Sequence, residues 1–448
     1  MTSLGKNLTL ILILILVFSI SITIDSKLGL AQTGTNVSGV ISSDATWTQA
    51  NSPYSLSSPV AVNAGVTLTI EPGATINLNG YYVEINGTIS AIGSDTDQIQ
   101  INGPGPQQVF GGIIFNPNSS SWNKQTSSGS IIQDSILNFH FPSWPSSLAI
   151  TIQGSAPRID GNTINGNIAY PMGSPIISNN KINGGLSDNS AGGSPLILNN
   201  EINGSIEIDG SGSPIVENNT IYYPAQYDSS GNLLVPISGI SVTNNNNALI
   251  SDNRLLGNFT SGIWMQQADA TIVGNLITTG LANGYGISIN HLASIIMENN
   301  TIYGNKIEVY SQSTYPSTVV YNDLVNYSQN SIYLDTGASG SINATYNWWG
   351  TTDTQAINQT IHDFKDNFNL GEVTFVPFLT APNSQAPSLN EAITNPTSSQ
   401  SPTPNQTQTP ASTAAVPELP WIVMLPLLLL TFFVAVALRL RKNNDQNQ

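Results

Sequence analysis

The chain has 448 residues, only 8% of them charged, with a formal net charge of −16 and no cysteine. This acidic balance excludes a nucleic-acid-binding protein that relies on a basic stripe, and it opposes a polyanionic polysaccharide unless cations bridge the two. The absence of cysteine excludes disulfides and thiolate metal sites.

The N-terminal residues 1–31 have the pattern of a signal peptide. Lys6 provides the basic start, residues 8–24 form the apolar core, and Gly29 and Ala31 supply the small residues of a cleavage site. The chain is therefore predicted to be exported. An uncleaved N-terminal anchor is the alternative, because the apolar core is long enough to enter a membrane.

Residues 32–379 contain a repeat that is marked by one asparagine. An apolar residue lies three positions before it and another two positions after it, and successive copies are 18–34 residues apart. The marker asparagines are Asn162, Asn180, Asn200, Asn219, Asn253, Asn275, Asn300, Asn322 and Asn347. Ser135 takes the same place in an earlier copy. Such a period predicts a solenoid, in which stacked coils bury one continuous core.

A second segment in each repeat has the pattern Ile-x-apolar after a glycine or small polar residue, as in residues 204–208 and 286–289. This period of two predicts a strand. The distance from its Ile to the next marker is nearly constant, 12–15 residues, whereas the distance from a marker to the next such Ile varies. The length variation is therefore predicted to lie at one corner of the coil.

These spacings predict parallel strands that stack coil on coil, about 4.8 Å apart, with right-handed connections. The marker asparagine is expected to adopt the left-handed conformation that a tight corner needs, and to form an amide ladder with its copies. Its predicted role is therefore structural. At the end of the array, the apolar spacing predicts a capping helix over 354–368, begun by Asp353 or Thr354 and ended by Gly371, before a last strand at 373–378.

The C-terminal part changes composition twice. Residues 380–416 are rich in Pro, Ser, Thr, Gln and Asn, which predicts an extended stalk. Residues 417–438 contain a 19-residue uncharged run, long enough for a transmembrane anchor, and basic residues follow in 439–448, the predicted cytoplasmic tail. Asn-x-Ser/Thr acceptor sites include Asn203, Asn258 and Asn326, and some of the acceptor sites in the chain are expected to carry glycan.

Together, the Pro-Gly entry turn at 72–73, the asparagine-marked coils and the closing segments NWWG (347–350) and GEVTFVPFL (371–379) resemble right-handed parallel β-helix surface proteins of the pectate-lyase-like superfamily. The resemblance implies a right-handed parallel β-helix ectodomain over residues 32–379. That superfamily includes pectate lyases, polygalacturonases, adhesins and maturation factors of copper enzymes. The VPELP segment at 416–420 resembles an archaeal C-terminal surface-anchoring signal, with Leu419 in place of the usual Phe.

By the same resemblance, a ligand would lie across the outward face of the Ile-x-apolar strands. Glu308 and Asp335 lie there on adjacent coils, diagonally offset by roughly 7–8 Å. This separation suits the two carboxylates of an inverting glycosidase. Trp264 lies two coils away and is a candidate for stacking on a sugar ring, and further candidate ligand-binding aromatics are Tyr310 and Tyr333 and, at the variable corner, Tyr222, Tyr223 and Tyr227.

A simpler interpretation is that an acidic chain brings some carboxylates together by chance. A lyase would need a base and Ca²⁺ ligands, and no basic residue of the ectodomain joins a cluster of Asp residues. The histidines His140, His291 and His362 are scattered, so no metal site and no cofactor are predicted.

The leading hypothesis is a membrane-anchored extracellular β-helix protein with a structural or adhesive role at the cell surface, acting on glycans by binding rather than catalysis. Its expected partners are the membrane and extracellular polysaccharide or cell-surface glycan. The alternative is a polysaccharide-degrading enzyme, a glycoside hydrolase before a lyase, that works on the exposed sheet face.

Overall fold

The structure is a computed structural model. It describes residues 34–103, 112–139, 148–188, 192–223, 226–227, 233–234, 238–244, 247–279, 284–291, 293–304, 306–309, 315–327 and 329–389. The predicted signal peptide, the transmembrane anchor, the cytoplasmic tail and all but the first ten residues of the predicted stalk lie outside these ranges. No helix within them is long and apolar enough to cross a membrane.

Three ladders of short parallel strands run the length of the coils. The first, called sheet one, contains the strands that precede the marker asparagines and continues beyond them at both ends. Its fourteen strands are Ala45–Trp47, Thr67–Ile70, Thr88–Ile92, Ile131–Gln133, Arg158–Asp160, Ile176–Ser178, Leu196–Leu198, Ile215–Glu217, Ala248–Ser251, Asp269–Val273, Ser294–Glu298, Ser317–Val320, Ile342–Asn343 and Val373–Thr374.

The other two ladders are joined at the N-terminal end by the strands Thr35–Ile41 and Tyr54–Val62. Sheet two follows the markers and comprises Thr75–Asn77, Ile99–Asn102, Ser135–Asn138, Thr163–Asn165, Lys181–Asn183, Glu201–Asn203, Thr220–Tyr223, Arg254–Gly257, Leu276–Thr279, Thr301–Tyr303 and Asp323–Val325. Sheet three comprises Val83–Ile85, Ile113–Phe115, Leu148–Ile152, Asn167–Ala169, Leu186–Ser187, Ile206–Asp209, Ser238–Thr243, Ser261–Gln266, Tyr285–Asn290, Lys306–Val309, Ile332–Leu334 and Ile361–His362.

The core consists of columns of aliphatic side chains. Each strand points alternate side chains inward, and each coil has an aliphatic residue at the same inward position. In sheet one, Ile159, Ile177 and Ile197 are paired in register and fully buried. Burial of each such side chain stabilises the fold by about 1.5–3 kcal/mol relative to exposure. The repeat of Ile and Val at one place per strand therefore selects both the stacking and the register.

The corner between sheets one and two turns at the residue before Ser135 and before each marker asparagine. These residues have φ between 48° and 67°, and they are Asp134, Gly161, Asn179, Asn199, Asn218, Asp252, Gly274, Asn299, Tyr321 and Tyr346. The expectation that the marker itself is left-handed is therefore wrong. The chain reverses one residue earlier, which leaves the marker side chain free to point inward.

The variable corner lies between sheets two and three. Its longest insertion separates Thr220–Tyr223 from Ser238–Thr243 and contains a small antiparallel pair, Gln226–Tyr227 with Leu233–Leu234. Where the corner is tight it uses closely stacked glycines. A Cβ on Gly184 would lie 2.3 Å from the Gly166 carbonyl oxygen of the coil before it.

The predicted capping helix over 354–368 is wrong in length. The helix spans Thr354–Gln359, and the Asp353 carboxylate caps it by accepting from the backbone N–H groups of Gln355 and Ala356. The chain then returns to the solenoid, because Ile361 fills an inward place of sheet three beside Ile332. Beyond that strand Phe364 and Phe368 are 47% and 80% exposed, so neither lies on a buried helical face. The last strand, Val373–Thr374, is also shorter than the predicted 373–378.

Residues 379–389, here called the C-terminal strap, lie against the coils rather than in an extended stalk. Asn383 donates its backbone N–H to Asp323 Oδ1 at 2.8 Å and its side-chain Nδ2 to Asn299 Oδ1 at 2.9 Å. Thr301 Oγ1 donates to the Pro387 carbonyl at 2.7 Å. The segment predicted as stalk therefore begins with ordered contacts across successive coils.

Asp323, the carboxylate that the strap contacts, gives the chain a testable pH dependence. Burial raises the pKa of Asp323, against the lowering effect of the Asn383 N–H. Folding therefore favours the protonated carboxyl, and the stability from this group is complete below the ordinary carboxyl pKa of about 3.9 and lost as pH rises through the folded value. Asp323→Asn is expected to raise the midpoint of urea unfolding at pH 7 and to match the wild type at pH 3. A gain confined to pH 3 would contradict this reasoning.

Candidate functional site

The outward face of sheet three carries one continuous column of side chains. The strand registers set these residues side by side on consecutive coils in the order Glu207, Ser241, Trp264, Ser288, Glu308, Tyr333 and His362. They point outward because the isoleucines before them, such as Ile263 and Ile287, are fully buried. We call this set the sheet-three column.

Trp264 is the largest side chain of the sheet-three column. Its neighbours on the adjacent coils are Ser241 and Ser288, which are too small to cover an indole ring. The indole is partly exposed. Ser241 is partly exposed, like the indole, whereas Ser288 is buried at 1% exposure. The accessible part of the indole is therefore flanked by one accessible serine, Ser241.

The second aromatic group of this column pairs the predicted Tyr333 with His362, which the sequence analysis did not place on this face. Tyr333 stacks on His362, with ring centroids 4.7 Å apart and an interplanar angle of 15°. His362 Nδ1 also lies 3.5 Å from Asp366 Oδ2. Since residue 362 fell within the expected helix, only the Ile-x pattern at 361 could have shown its place on sheet three. Three coil steps, about 14 Å, separate Trp264 from Tyr333.

The proposed carboxylate pair is located only in part. The register sets Glu308 beside Tyr333, and Asp335 follows Tyr333 by two residues on the adjacent coil. Asp335 Oδ1 accepts the backbone N–H of Thr336 at 2.7 Å. The side chain of Glu308 and the whole of Tyr310 lie outside the described structure, so the catalytic pair stays a prediction.

The corner tyrosines belong to a different face. Tyr222 lies on sheet two beside Asn203 and is 46% exposed. Tyr223 packs near Phe259, with centroids 6.4 Å apart, and burial raises its pKa. Tyr227 is in the small antiparallel pair, where its side chain is outside the described structure. The structure therefore divides the predicted ligand-binding aromatics between two faces.

Glu207, at the N-terminal end of the sheet-three column, loses its proton less readily than an ordinary glutamate. Burial raises the pKa of Glu207. Below it Tyr170 is fully buried and donates its hydroxyl to the Glu207 backbone carbonyl at 2.8 Å. Burial first, and then the charges of Asp188 and Glu207, raise the pKa of Tyr170, which keeps the phenol neutral.

The marker asparagines form a buried ladder below the corner between sheets one and two. From Asn180 onward, each Oδ1 accepts two bonds from the preceding marker, one from its backbone N–H at 2.7–3.0 Å and one from its Nδ2 at 2.9–3.1 Å. Ser135 begins the series by donating its N–H to Asn162. All nine amides are at most 2% exposed, so a ligand at the surface does not reach them.

No group of three or more His, Asp or Glu side chains with the geometry to hold a metal ion occurs among the residues that the structure describes. The chemistry available on sheet three consists of aromatic rings, hydroxyls and single carboxylates.

A model of the right handed beta helix region matches residues 111–339. The chain belongs to the right-handed β-helix family. This confirms the fold that the repeat and the resemblance predicted. No curated protein matches the chain significantly.

Solved structures similar to this β-helix include crystal structures of two mutants of the periplasmic alginate epimerase AlgG. They are 11% and 10% identical to it, cover 72% of this chain and 75% of the other chain, and have a TM-score of 0.40. Likenesses this distant do not bear on activity.

Proposed function

We propose that this β-helix protein is an extracellular surface component that binds neutral glycans through the sheet-three column and does not cleave them. One observation carries the proposal. Trp264 is partly exposed beside the partly exposed Ser241 and lies three coils from the stacked Tyr333 and His362 rings.

Such a column suits a sugar chain because aromatic faces pack on the apolar face of a pyranose ring, and the partly exposed Ser241 hydroxyl can bond a sugar hydroxyl. An oligosaccharide along the column would meet Trp264 first and the Tyr333 ring about 14 Å further on. The net charge of −16 disfavours an anionic chain, so a neutral glycan is the expected class.

The location of the protein belongs to the same proposal. The N-terminal signal, the stalk, the transmembrane anchor over 417–438 and the cytoplasmic tail over 439–448 would hold the β-helix outside the cell membrane. The C-terminal strap implies that the stalk starts nearer residue 390 than 380.

The binding claim predicts a loss of affinity in Trp264→Ala. Removing a central aromatic anchor commonly costs about 2 kcal/mol or more, which is at least a tenfold weaker Kd. The measurement is the Kd of the full-length chain in mild detergent for soluble neutral oligosaccharides. Tyr315→Ala is the matched control, since Tyr315 is 50% exposed and lies off the sheet-three column. Equal losses in both variants would remove Trp264 from the site.

The alternative is a glycoside hydrolase that uses Glu308 and Asp335. Analysis of the products in the same mixtures distinguishes it from a protein that only binds the glycan. Binding without new reducing ends or unsaturated products supports the proposal. Release of reducing ends that Glu308→Gln abolishes would replace it with the hydrolase.

A further inference from the structure

A second amide ladder lies on the outward face of sheet two. It joins six consecutive coils through bonds of 2.7–3.1 Å, in which each Nδ2 donates to the Oδ1 of the preceding coil. Its members are Asn77, Asn102, Asn138, Asn165, Asn183 and Asn203. Unlike the marker series, these side chains reach the surface: Asn138 is exposed and the others are partly exposed. We call this set the surface ladder.

Each amide of the surface ladder keeps hydrogen-bonding capacity for a ligand. A side-chain amide has two N–H donors and an oxygen with two lone pairs, and the ladder uses one of each. One donor and one acceptor therefore remain on each of the four interior members, Asn102, Asn138, Asn165 and Asn183, repeated about every 4.8 Å. Because the ladder bonds already fix the side-chain rotamers, a ligand would lose less affinity to side-chain ordering.

The same column continues into aromatic residues. Tyr222 is in register with Asn203 on the next coil and is 46% exposed. Tyr303, further along the column, is 38% exposed. An amide array that ends against an open ring combines the two contacts that sugar rings use, hydrogen bonds at their edges and stacking on their faces.

The surface ladder is almost neutral in an acidic chain. Its flanking residues on the same strands are Thr75, Gln100, Ile136, Thr163, Lys181 and Glu201. Lys181 and Glu201 are 3.4 Å apart and offset each other's charge. A neutral hydroxyl-rich ligand would therefore meet no repulsion here.

We propose that sheet two is a second binding face, for an extended neutral polysaccharide that runs along the helix axis over the surface ladder and stacks on Tyr222. Five coil steps give the ladder a length of about 24 Å. The proposal rests on the proposed function only for the class of ligand; its residues and its face are different.

The test is a binding isotherm of the full-length chain in mild detergent on insoluble cellulose, chitin and mannan, with polygalacturonate as the anionic comparison. Tyr222→Ala and the double variant Asn165→Leu, Asn183→Leu are each expected to weaken binding to a neutral polymer at least about fivefold. Thermal unfolding of each variant identifies any that fails to fold, and in that case the other variant decides. Polygalacturonate is expected not to bind.

Trp264→Ala separates the two faces. Wild-type binding in both sheet-two variants, together with weaker binding in Trp264→Ala, would overturn the second face and leave the proposed function intact. If the sheet-two variants bind more weakly and Trp264→Ala binds like the wild type, sheet two is supported as a binding face and the sheet-three column is not. Binding to none of the neutral polymers would overturn the second face.

Discussion

Asn275→Ala is expected to lower the free energy of unfolding by at least about 4 kcal/mol, because it interrupts the buried ladder in its middle. The Oδ1 of Asn275 accepts the backbone N–H and the Nδ2 of Asn253 at 2.9 and 3.0 Å. Its Nδ2 donates to the Ile250 carbonyl and to Asn300 Oδ1, both at 2.9 Å. Each group left without a partner in the core costs about 1–3 kcal/mol.

The matched control for Asn275→Ala is Asn183→Ala in the surface ladder. It deletes the same atoms from a stacked amide, but water can reach the groups that it leaves, so a cost of about 1 kcal/mol or less is expected. Urea unfolding of both variants measures the difference. Equal costs would mean that stacking of amides, rather than buried hydrogen bonding, stabilises the markers.

Gly184→Ala is expected to cost about 3 kcal/mol, because the coils approach too closely at that corner for a side chain. The added Cβ would meet the Gly166 carbonyl oxygen at 2.3 Å and Asn167 Oδ1 at 2.7 Å. Backbone atoms cannot rotate away as a flexible side chain does, so neighbouring coils must separate.

Gly304→Ala is the control for the corner glycine. Gly304 has a φ of +77° and nothing within 4 Å of an added Cβ, so only the left-handed backbone is penalised, by about 1 kcal/mol. The same urea titration compares the two. If Gly304→Ala loses more free energy of unfolding than Gly184→Ala, then left-handed backbone conformation, and not the close spacing of the coils, is the main reason for glycine at these corners.

The solenoid could be predicted from sequence because its signal repeats. Ile177 or Asn180 alone says little, but the same pair in nine copies leaves few other folds. Ser135 was assigned by position alone, and its N–H bonds to Asn162 as a marker's would. Features that occur only once in the chain are not supported by repetition. The apolar residues of the predicted capping helix fit a helical spacing, yet one of them, Ile361, lies in a strand of sheet three.

The sites were harder to predict, because which face a residue lies on depends on corner lengths that vary. Tyr222 and Trp264 were both identified as surface aromatics, but only the registers assign them to different sheets. The surface ladder had a readable signal, since Asn165, Asn183 and Asn203 each follow a marker by three residues. The C-terminal strap had none, because its bonds to Asp323 and Thr301 connect residues far apart in sequence.

The most direct test of glycan binding on sheet three is a crystal structure of the chain soaked with the neutral oligosaccharide that it binds most tightly. We expect an intact sugar chain with one ring packed on Trp264 and its length directed toward Tyr333. A cleaved product beside Glu308 and Asp335, or an oligosaccharide bound only away from the sheet-three column, would contradict it.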